Sequence, residues 1–324
     1  MNIVNKKAYF SIIESFKIIP PTQCEGWYRM HALYHPERII FLVNHLESPT
    51  IACFGHIKKM LGIKMILIEG ECYADESSQN SGDIRDFYKQ VKELGFQIVE
   101  VCSNATYDFN YETGLRQAGF LRPIGQFSLP NTKIIHLNEP LTVSNDWRKN
   151  LKRAKKHELS LESIEIPESN DSKSFIDIYS YMGKLKSLSI PFNVEQIKEL
   201  CRTGDFKLFF VKKENRRIAT TIIYQNNNVA VSYYAAANAE ARDVSASYFM
   251  YVELLNYLKK NNVDFFDMGK LLPATDGVNN VFLFKNGIQG THIQLNGEWS
   301  WYKKSIYRVG MYFVKKYLVR KREL

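Results

Sequence analysis

Residues 254–270 read LLNYLKKNNVDFFDMGK. This stretch has the pattern of an amphipathic helix end, a tight turn and a short buried strand that finishes at Asp267. The same pattern occurs in FYKQVKELGFQIVE at residues 87–100. Any α/β protein repeats this unit, but the two copies stand at equivalent places in two halves of the chain. We therefore infer a duplicated α/β fold.

The character of the sequence changes near residue 140, just before the basic stretch WRKNLKRAKKH at residues 147–157. Strand and helix patterns alternate on both sides of this point. We therefore predict an α/β (α+β) chain of two units with mixed central sheets. The first unit spans residues 1–140 and the second spans residues 141–324.

The chain has 324 residues, a formal net charge of +9 and five cysteines. Its length fits two units, and its positive charge predicts attraction to phosphate-bearing partners such as nucleotides, tRNA or anionic lipid. An odd number of cysteines without CxxC spacing is typical neither of a disulfide framework nor of a zinc ribbon. Because a secretory signal is also missing, we expect a cytoplasmic protein.

The histidines show no spacing typical of a metal site, and neither a Ser-His-Asp nor a Cys-His order stands out. We therefore expect no metal and no covalent nucleophile.

Arg242, Ser245 and Ser247 lie between a strand that ends near Ala236 and the next helix. They resemble a degenerate RxxGxA loop of the GNAT fold, in which N–H groups at a helix N-terminus bind the pyrophosphate of an acyl carrier beside a basic residue. Ser245 replaces the glycine that lets the backbone approach phosphate closely. The alternative is that Ser245 only caps the helix.

A second resemblance covers most of the chain. VDFFDMGK at residues 263–270 and FKNGIQG at residues 284–290 are similar to the YDxGG strand and FKxxFGG turn of the Fem family. LRQAGF at residues 115–120 resembles the family's LxxxGF, and WRKNLKRAKKHEL at residues 147–159 resembles its RxxIRKAEKxGL helix. Ile288 stands where the family prefers Phe, and no stretch sustains the heptads of its coiled-coil arm. The resemblance implies two tandem GNAT-like units, a degenerate first and a second with the active site.

The Fem resemblance implies that an amino acid moves from aminoacyl-tRNA to the side-chain amine of a peptidoglycan precursor. A neighbouring branch uses acyl-CoA and an amino sugar or another amine. Either donor is a co-substrate and not a tightly bound cofactor. In both reactions an amine attacks a carbonyl, and a cation or N–H group can stabilise the oxyanion. A third reading is a non-catalytic module that binds RNA or a nucleotide sugar; no feature indicates DNA.

Five residues are candidates for direct roles in catalysis or substrate binding. We expect Lys285 to hold a donor phosphate or stabilise the developing charge, and Asp267 to bind or deprotonate the amine. A solvated lysine and a carboxylate that caps the next turn are the alternatives. Tyr233 and Tyr234 are predicted to point to opposite faces of a strand, so that at least one faces the substrate cleft while the other packs inside; core packing is the alternative. Arg153 is a further candidate for substrate contact.

The segment Ser300–Arg322 combines aromatic residues with lysine and arginine and is predicted to form a basic amphipathic helix. Such a helix can lie on anionic lipid at the inner membrane face or on the tRNA backbone. The alternative is a helix that docks on the protein by its apolar face.

Overall fold

The computed structural model describes residues 1–60, 62–124, 131–186, 192–271 and 280–319. Contacts divide the chain into two compact units. The first unit contains Met1–Pro130 and Gln294–Lys321, and the second contains Asn131–Ile293. In the described part of the chain, no helix is long and apolar enough to cross a bilayer.

The first unit begins with an antiparallel sheet and its flanking helices. In chain order these elements are β1 (Asn2–Val4), α1 (Lys6–Ile13), α2 (Glu25–Ala32), β2 (Ile39–Val43), β3 (Ile51–Met60), β4 (Ile63–Ile68), β5 (Cys72–Tyr73), α3 (Ser81–Glu93), β6 (Ile98–Thr106) and α4 (Phe109–Gln117). Among the described strand pairs of this sheet only β4 and β6 run parallel, and the connection between them passes through the crossover helix α3.

The second unit contains a longer sheet with helices between its strands. In chain order its elements are β7 (Asn131–His136), α5 (Asn145–Ala154), β8 (Leu159–Ile164), α6 (Ser169–Lys186), α7 (Val194–Cys201), β9 (Phe206–Lys213), β10 (Arg216–Asn226), β11 (Val229–Ala237), α8 (Ala239–Asp243), α9 (Ala246–Lys260), β12 (Phe265–Asp267) and α10 (Asn280–Asn286). The strand order is β7-β12-β11-β10-β9-β8, and β11 and β12 run parallel on either side of the α9 crossover.

The two stretches of similar sequence occupy the same kind of element. Residues 87–100 run from α3 into β6, and residues 254–267 run from α9 into β12. Each strand pairs in parallel with a strand that precedes its helix in the chain, β4 in one unit and β11 in the other. The predicted fold, two α/β units with mixed sheets, is therefore confirmed.

The last described part of the chain returns to the first unit. β13 (Thr291–Tyr302) pairs antiparallel with β6 from Leu295 to Tyr302, and α11 (Ser305–Val314) follows it. Trp299 of β13 is buried in the core that α3 and β6 build. The sequence analysis assigned residues 294–321 to the second unit. The structure corrects this, because periodicity identifies a strand without showing which sheet that strand joins.

Candidate active site

The turn after β12 brings Asp267 and Lys285 to one place through the backbone of Gly269. The Lys285 ammonium donates to the carbonyl oxygens of Gly269 and Lys270, at 3.1 and 2.8 Å. The Gly269 N–H donates to Asp267 Oδ1 at 2.7 Å, and the Thr132 hydroxyl bonds the same oxygen. Asp267 therefore caps its own turn, as the alternative reading of the sequence expected, and Lys285 is held and not freely solvated.

Burial perturbs both ionisable groups of this cluster. It lowers the pKa of Lys285 to about 8, and the nearby Asp267 charge opposes that shift. Burial also raises the pKa of Asp267, while the Thr132 hydroxyl, the Gly269 N–H and Lys285 oppose the rise. Carboxylates and lysines with such shifts are the groups that exchange protons near neutral pH.

The glycines of this region allow close backbone approach. Gly269 has φ +74°, and a Cβ there would lie 2.6 Å from the carbonyl oxygen of Ser232 on β11. A Cβ at Gly287 would lie 2.5 Å from the Trp147 ring, and one at Gly290 would overlap the Ile134 carbonyl oxygen. The glycines of the FKNGIQG turn are thus required for its close packing against Trp147 and β7.

β11 and β12 part at the level of Asp267. Their parallel pairing ends with Val231 opposite Asp267, whereas β11 continues to Ala237. The register with β10 shifts between the pairs Ile222–Tyr234 and Ile223–Ser232, which leaves Tyr233 as the extra residue of a β-bulge. Within the described residues, β11 from Ser232 onward has no partner strand on the β12 side.

The bulge also determines where the two tyrosines lie. The Tyr233 and Tyr234 rings are 5.8 Å apart, with Phe206 next to the first at 5.4 Å and Phe192 next to the second at 5.0 Å. The prediction that these rings lie on opposite faces is therefore wrong, because a bulge breaks the period-two alternation of a strand. Both rings are partly buried in one aromatic cluster.

Ser245 adopts a left-handed backbone conformation, which glycine adopts more readily than serine. Its φ is +57° and its ψ is +35°, directly before α9 begins. Its side chain makes no capping bond and donates instead to Asn150 Oδ1 of α5 at 3.2 Å. Ser245 thus holds the N-cap position of α9 without a side-chain cap, and its left-handed backbone is one that usually favours glycine. Arg242 is exposed on α8 over the Tyr181 ring, and Ser247 lies in the first turn of α9.

α5 contacts the segment that contains Lys285 and also the turn that contains Ser245. Its first turn is capped by the Ser144 hydroxyl, which accepts from the Trp147 N–H. The Trp147 indole donates to the Phe284 carbonyl at 2.9 Å, and its ring packs 4.8 Å from the Tyr248 ring of α9. Arg153 is exposed near the end of α5, six residues after Trp147, which makes the contacts with Phe284 and Tyr248.

Two residues of β7 belong to this region although sequence reasoning did not select them. Thr132 bonds Asp267, and the buried Lys133 donates to the Asn286 carbonyl at 3.1 Å. A lysine directly before the apolar pair of the stretch TKII was the signal that could have identified this strand. Across the described ranges, no cluster of His, Cys, Asp and Glu has an arrangement that could hold a metal ion.

Comparison with known proteins supports the GNAT resemblance. Residues 145–277 match the model of the acetyltransferase (GNAT) domain family. No curated protein matches the sequence. FemX has a TM-score of 0.72 at 13% identity, over 95% of this chain and 99% of the FemX chain.

Two further solved structures have the same fold. L-PGS from Bacillus licheniformis has a TM-score of 0.65 at 13% identity, over 96% of both chains. A tandem GNAT protein from the clavulanic acid biosynthesis pathway has a TM-score of 0.56 at 9% identity, over 92% of this chain and 95% of that one. At such identities the likeness is one of fold. The resemblance seen in the sequence is confirmed, and residues 145–277 form an acyltransferase domain of the GNAT family within a chain that has the tandem GNAT fold.

Proposed function

We propose that the chain is a Fem-like aminoacyltransferase, which moves an amino acid from aminoacyl-tRNA to an amine of a cell-wall precursor. The observation that carries the proposal is the cluster of Lys285, Asp267 and Gly269 at the point where β11 and β12 part. The motif residues that resemble the Fem family thus surround an opening in the sheet. The similarity to FemX over nearly the whole of both chains supports the same assignment.

In the proposed reaction the acceptor nitrogen attacks the ester carbonyl carbon, and the ester C–O bond then breaks. The carbonyl oxygen becomes negative in the tetrahedral intermediate. Lys285 has three N–H donors, of which two bond the Gly269 and Lys270 carbonyls, so the third can stabilise this oxyanion. Preorganised donors of this kind act strongly because they need no reorientation during the reaction.

We assign Asp267 the proton that the amine loses. Both of its described bonds end on Oδ1, which leaves Oδ2 as the oxygen that can accept this proton. The raised pKa of the carboxyl makes it a stronger base than an ordinary aspartate. The proton then passes to the ribose oxygen that leaves with the tRNA.

The remaining candidates would bind substrates. Tyr233 and Tyr234 lie on β11 beyond its last residue paired with β12, where an acceptor or donor chain can lie along the strand. Arg242, Ser245 and Ser247 precede or begin α9, whose N-terminus favours a donor phosphate. Arg153 would contact the tRNA backbone through its exposed charge.

A second candidate is transfer from acyl-CoA to an amino sugar or another amine. The conformation of Ser245 favours it, because the left-handed turn expected of a phosphate-binding glycine is present without the glycine. The match to the acetyltransferase domain model supports it as well. Under this proposal the same Lys285 and Asp267 act on a thioester instead of an ester.

Donor-dependent transfer to a uridine-linked cell-wall precursor tests both candidates. Purified chain is mixed with radiolabelled aminoacyl-tRNA or acyl-CoA, and single-turnover rates are compared for wild type, Lys285→Ala and Asp267→Asn. We expect Lys285→Ala to lower the rate by about a hundredfold or more, as when an oxyanion donor is removed. Lys260→Ala, an exposed lysine on α9, is the matched control.

Transfer from aminoacyl-tRNA alone supports the first candidate. Transfer from acyl-CoA alone supports the second, and Ser245→Gly should then strengthen acyl-CoA binding. An unchanged rate in Lys285→Ala would refute the assigned role of this residue for either donor. Tight binding of uncharged RNA with no transfer would leave the non-catalytic module as the better reading.

A further inference from the structure

α11 in the first unit, together with the π-helical turn Lys315–Val319 that continues it, presents an exposed apolar stripe. Ile306, Val309, Phe313 and Tyr317 are 67%, 45%, 50% and 60% exposed. Their spacing of three, four and four residues places them along one side of a helix. Single exposed apolar residues are common, but a continuous row of them marks an interaction surface.

The opposite side of α11 already holds the helix on the protein. Met311 is buried and packs with Met60, Met65 and Ile98, while Tyr307 and Val314 pack against the same cluster. At the end of the helix, Lys315 forms ion pairs with Glu100 and Glu298, at 3.1 and 3.0 Å. The exposed stripe is therefore not needed to keep α11 in position.

Positive charge surrounds the stripe. Lys303 and Lys304 are exposed before the helix, Lys316 is exposed near its end, and residues 303–319 contain no Asp or Glu. The end of β3 adds the exposed Lys58 and Lys59, next to Met60, which packs in the same cluster as Met311. Cations on both sides of an apolar row complement a surface with negative headgroups and an apolar interior.

Aromatic rings occupy the C-terminal end of the stripe. The Phe313 and Tyr317 rings stack with centroids 6.2 Å apart and planes within 5°. The Lys316 ammonium donates to the Tyr312 hydroxyl at 3.2 Å and lies 5.5 Å from the Tyr317 ring centroid. Aromatic residues beside lysine are typical of the headgroup level of a bilayer, where one side of the ring is apolar and the other is wet.

We propose that α11 is a docking surface for an anionic lipid bilayer. The helix lies in the plane of the interface, with Ile306, Val309 and Phe313 among the first acyl carbons and the lysines on lipid phosphates. An RNA backbone would use the lysines but not the aliphatic row, and a second copy of this chain would bring more positive charge to the same place. This surface lies in the first unit, so the proposal does not depend on the transfer reaction.

Cosedimentation of the full chain with vesicles tests this proposal. Vesicles of phosphatidylglycerol and phosphatidylcholine in equal parts are compared with phosphatidylcholine alone, and binding is expected for the anionic vesicles. Phe313→Ser should weaken it about tenfold, because a buried phenyl contributes more than 1.4 kcal/mol. Phe109→Ser, at a 72% exposed position of α4, is the matched control and should bind like wild type.

The charge contribution is tested with Lys303→Gln and Lys304→Gln, each expected to weaken binding about fivefold. Lys7→Gln and Lys89→Gln, exposed elsewhere in the first unit, are the controls. Equal binding by Phe313→Ser and Phe109→Ser, or equal binding of wild type to neutral and anionic vesicles, would overturn the proposal. Two other results would also overturn it, if wild type does not bind the vesicles. One is a dimer in light scattering that Phe313→Ser disrupts, and the other is a complex with tRNA that the same substitution disrupts.

Discussion

Replacing Gly269 with alanine tests whether close approach of the β12 turn to β11 organises the candidate site. The residue has φ +74°, and its new Cβ would lie 2.6 Å from the Ser232 carbonyl oxygen. Its own N–H bonds Asp267, and its carbonyl accepts from Lys285. Any shift of this backbone therefore moves both candidate catalytic groups.

Two separate costs add up at Gly269. A residue with a Cβ in the left-handed region costs about 1–2 kcal/mol relative to its ordinary conformation. Overlap with a fixed backbone atom costs about 1–3 kcal/mol, because the neighbour must move. We therefore expect Gly269→Ala to lower the free energy of unfolding by about 3.5 kcal/mol, the sum of the two middle values.

Two other glycines of the second unit separate these costs. Gly204 has φ +82° with no atom within 4 Å of the added Cβ, so Gly204→Ala carries only the conformational cost. Gly290 lacks a left-handed φ, but its added Cβ would overlap the Ile134 carbonyl oxygen, so Gly290→Ala carries only the overlap. Urea unfolding of the three variants gives each free energy from its midpoint and slope.

The activity of these variants gives a second readout. Gly269→Ala should lower the transfer rate even where the variant is fully folded, whereas Gly204→Ala should leave it near wild type. If Gly269→Ala is no less stable than Gly204→Ala, the close approach to Ser232 is incorrect. The account of how the turn holds Asp267 and Lys285 then fails with it.

The transfer rate should rise with pH as the Asp267 carboxyl loses its proton, and it should fall above about pH 8 as the Lys285 ammonium loses a proton. Lys285→Arg should abolish the fall at alkaline pH, because the guanidinium group stays charged. Burial raises the pKa of Glu71 to about 7, so the folded chain binds more protons than the unfolded chain between about pH 4.5 and 7. Stability should therefore fall by up to about 3 kcal/mol as pH rises through that interval, and urea titrations of Glu71→Gln should show no such slope. Lys315→Met leaves Glu100 and Glu298 without their cation and should lower the thermal midpoint, whereas Lys315→Arg should lower it less; equal midpoints for the two variants would contradict a role for the charge.

The parts of the fold that depend on local pattern could be predicted from the sequence. The repeated helix-turn-strand stretches identify the two crossovers, because helix and strand periods differ and buried strands read as apolar runs. The turn at residues 284–290 could be selected by its motif, and its glycines have a steric reason in the structure.

Features that depend on partners distant in sequence could not be predicted in the same way. Nothing local at Tyr233 indicates a bulge, because the extra residue is defined only by its register against β10. Thr132 becomes part of the site only when β7 pairs with β12. The conformation of Ser245 is equally hidden, since serine is an ordinary helix cap and its partner Asn150 lies on another helix.

The return of β13 to the first unit has a consequence for biosynthesis. The described strands of the second unit are continuous in sequence, within Asn131–Ile293, so a ribosome releases them one after another, and they can pair as soon as they emerge. The strands of the first unit are not continuous in sequence. β13 pairs with β6 and places Trp299 in the core, but β13 is synthesised only after the strands of the second unit. During that interval the nascent chain exposes a strand edge and an unfilled core, which makes it a substrate for chaperones. The unit that is translated first is thus the one that is completed last.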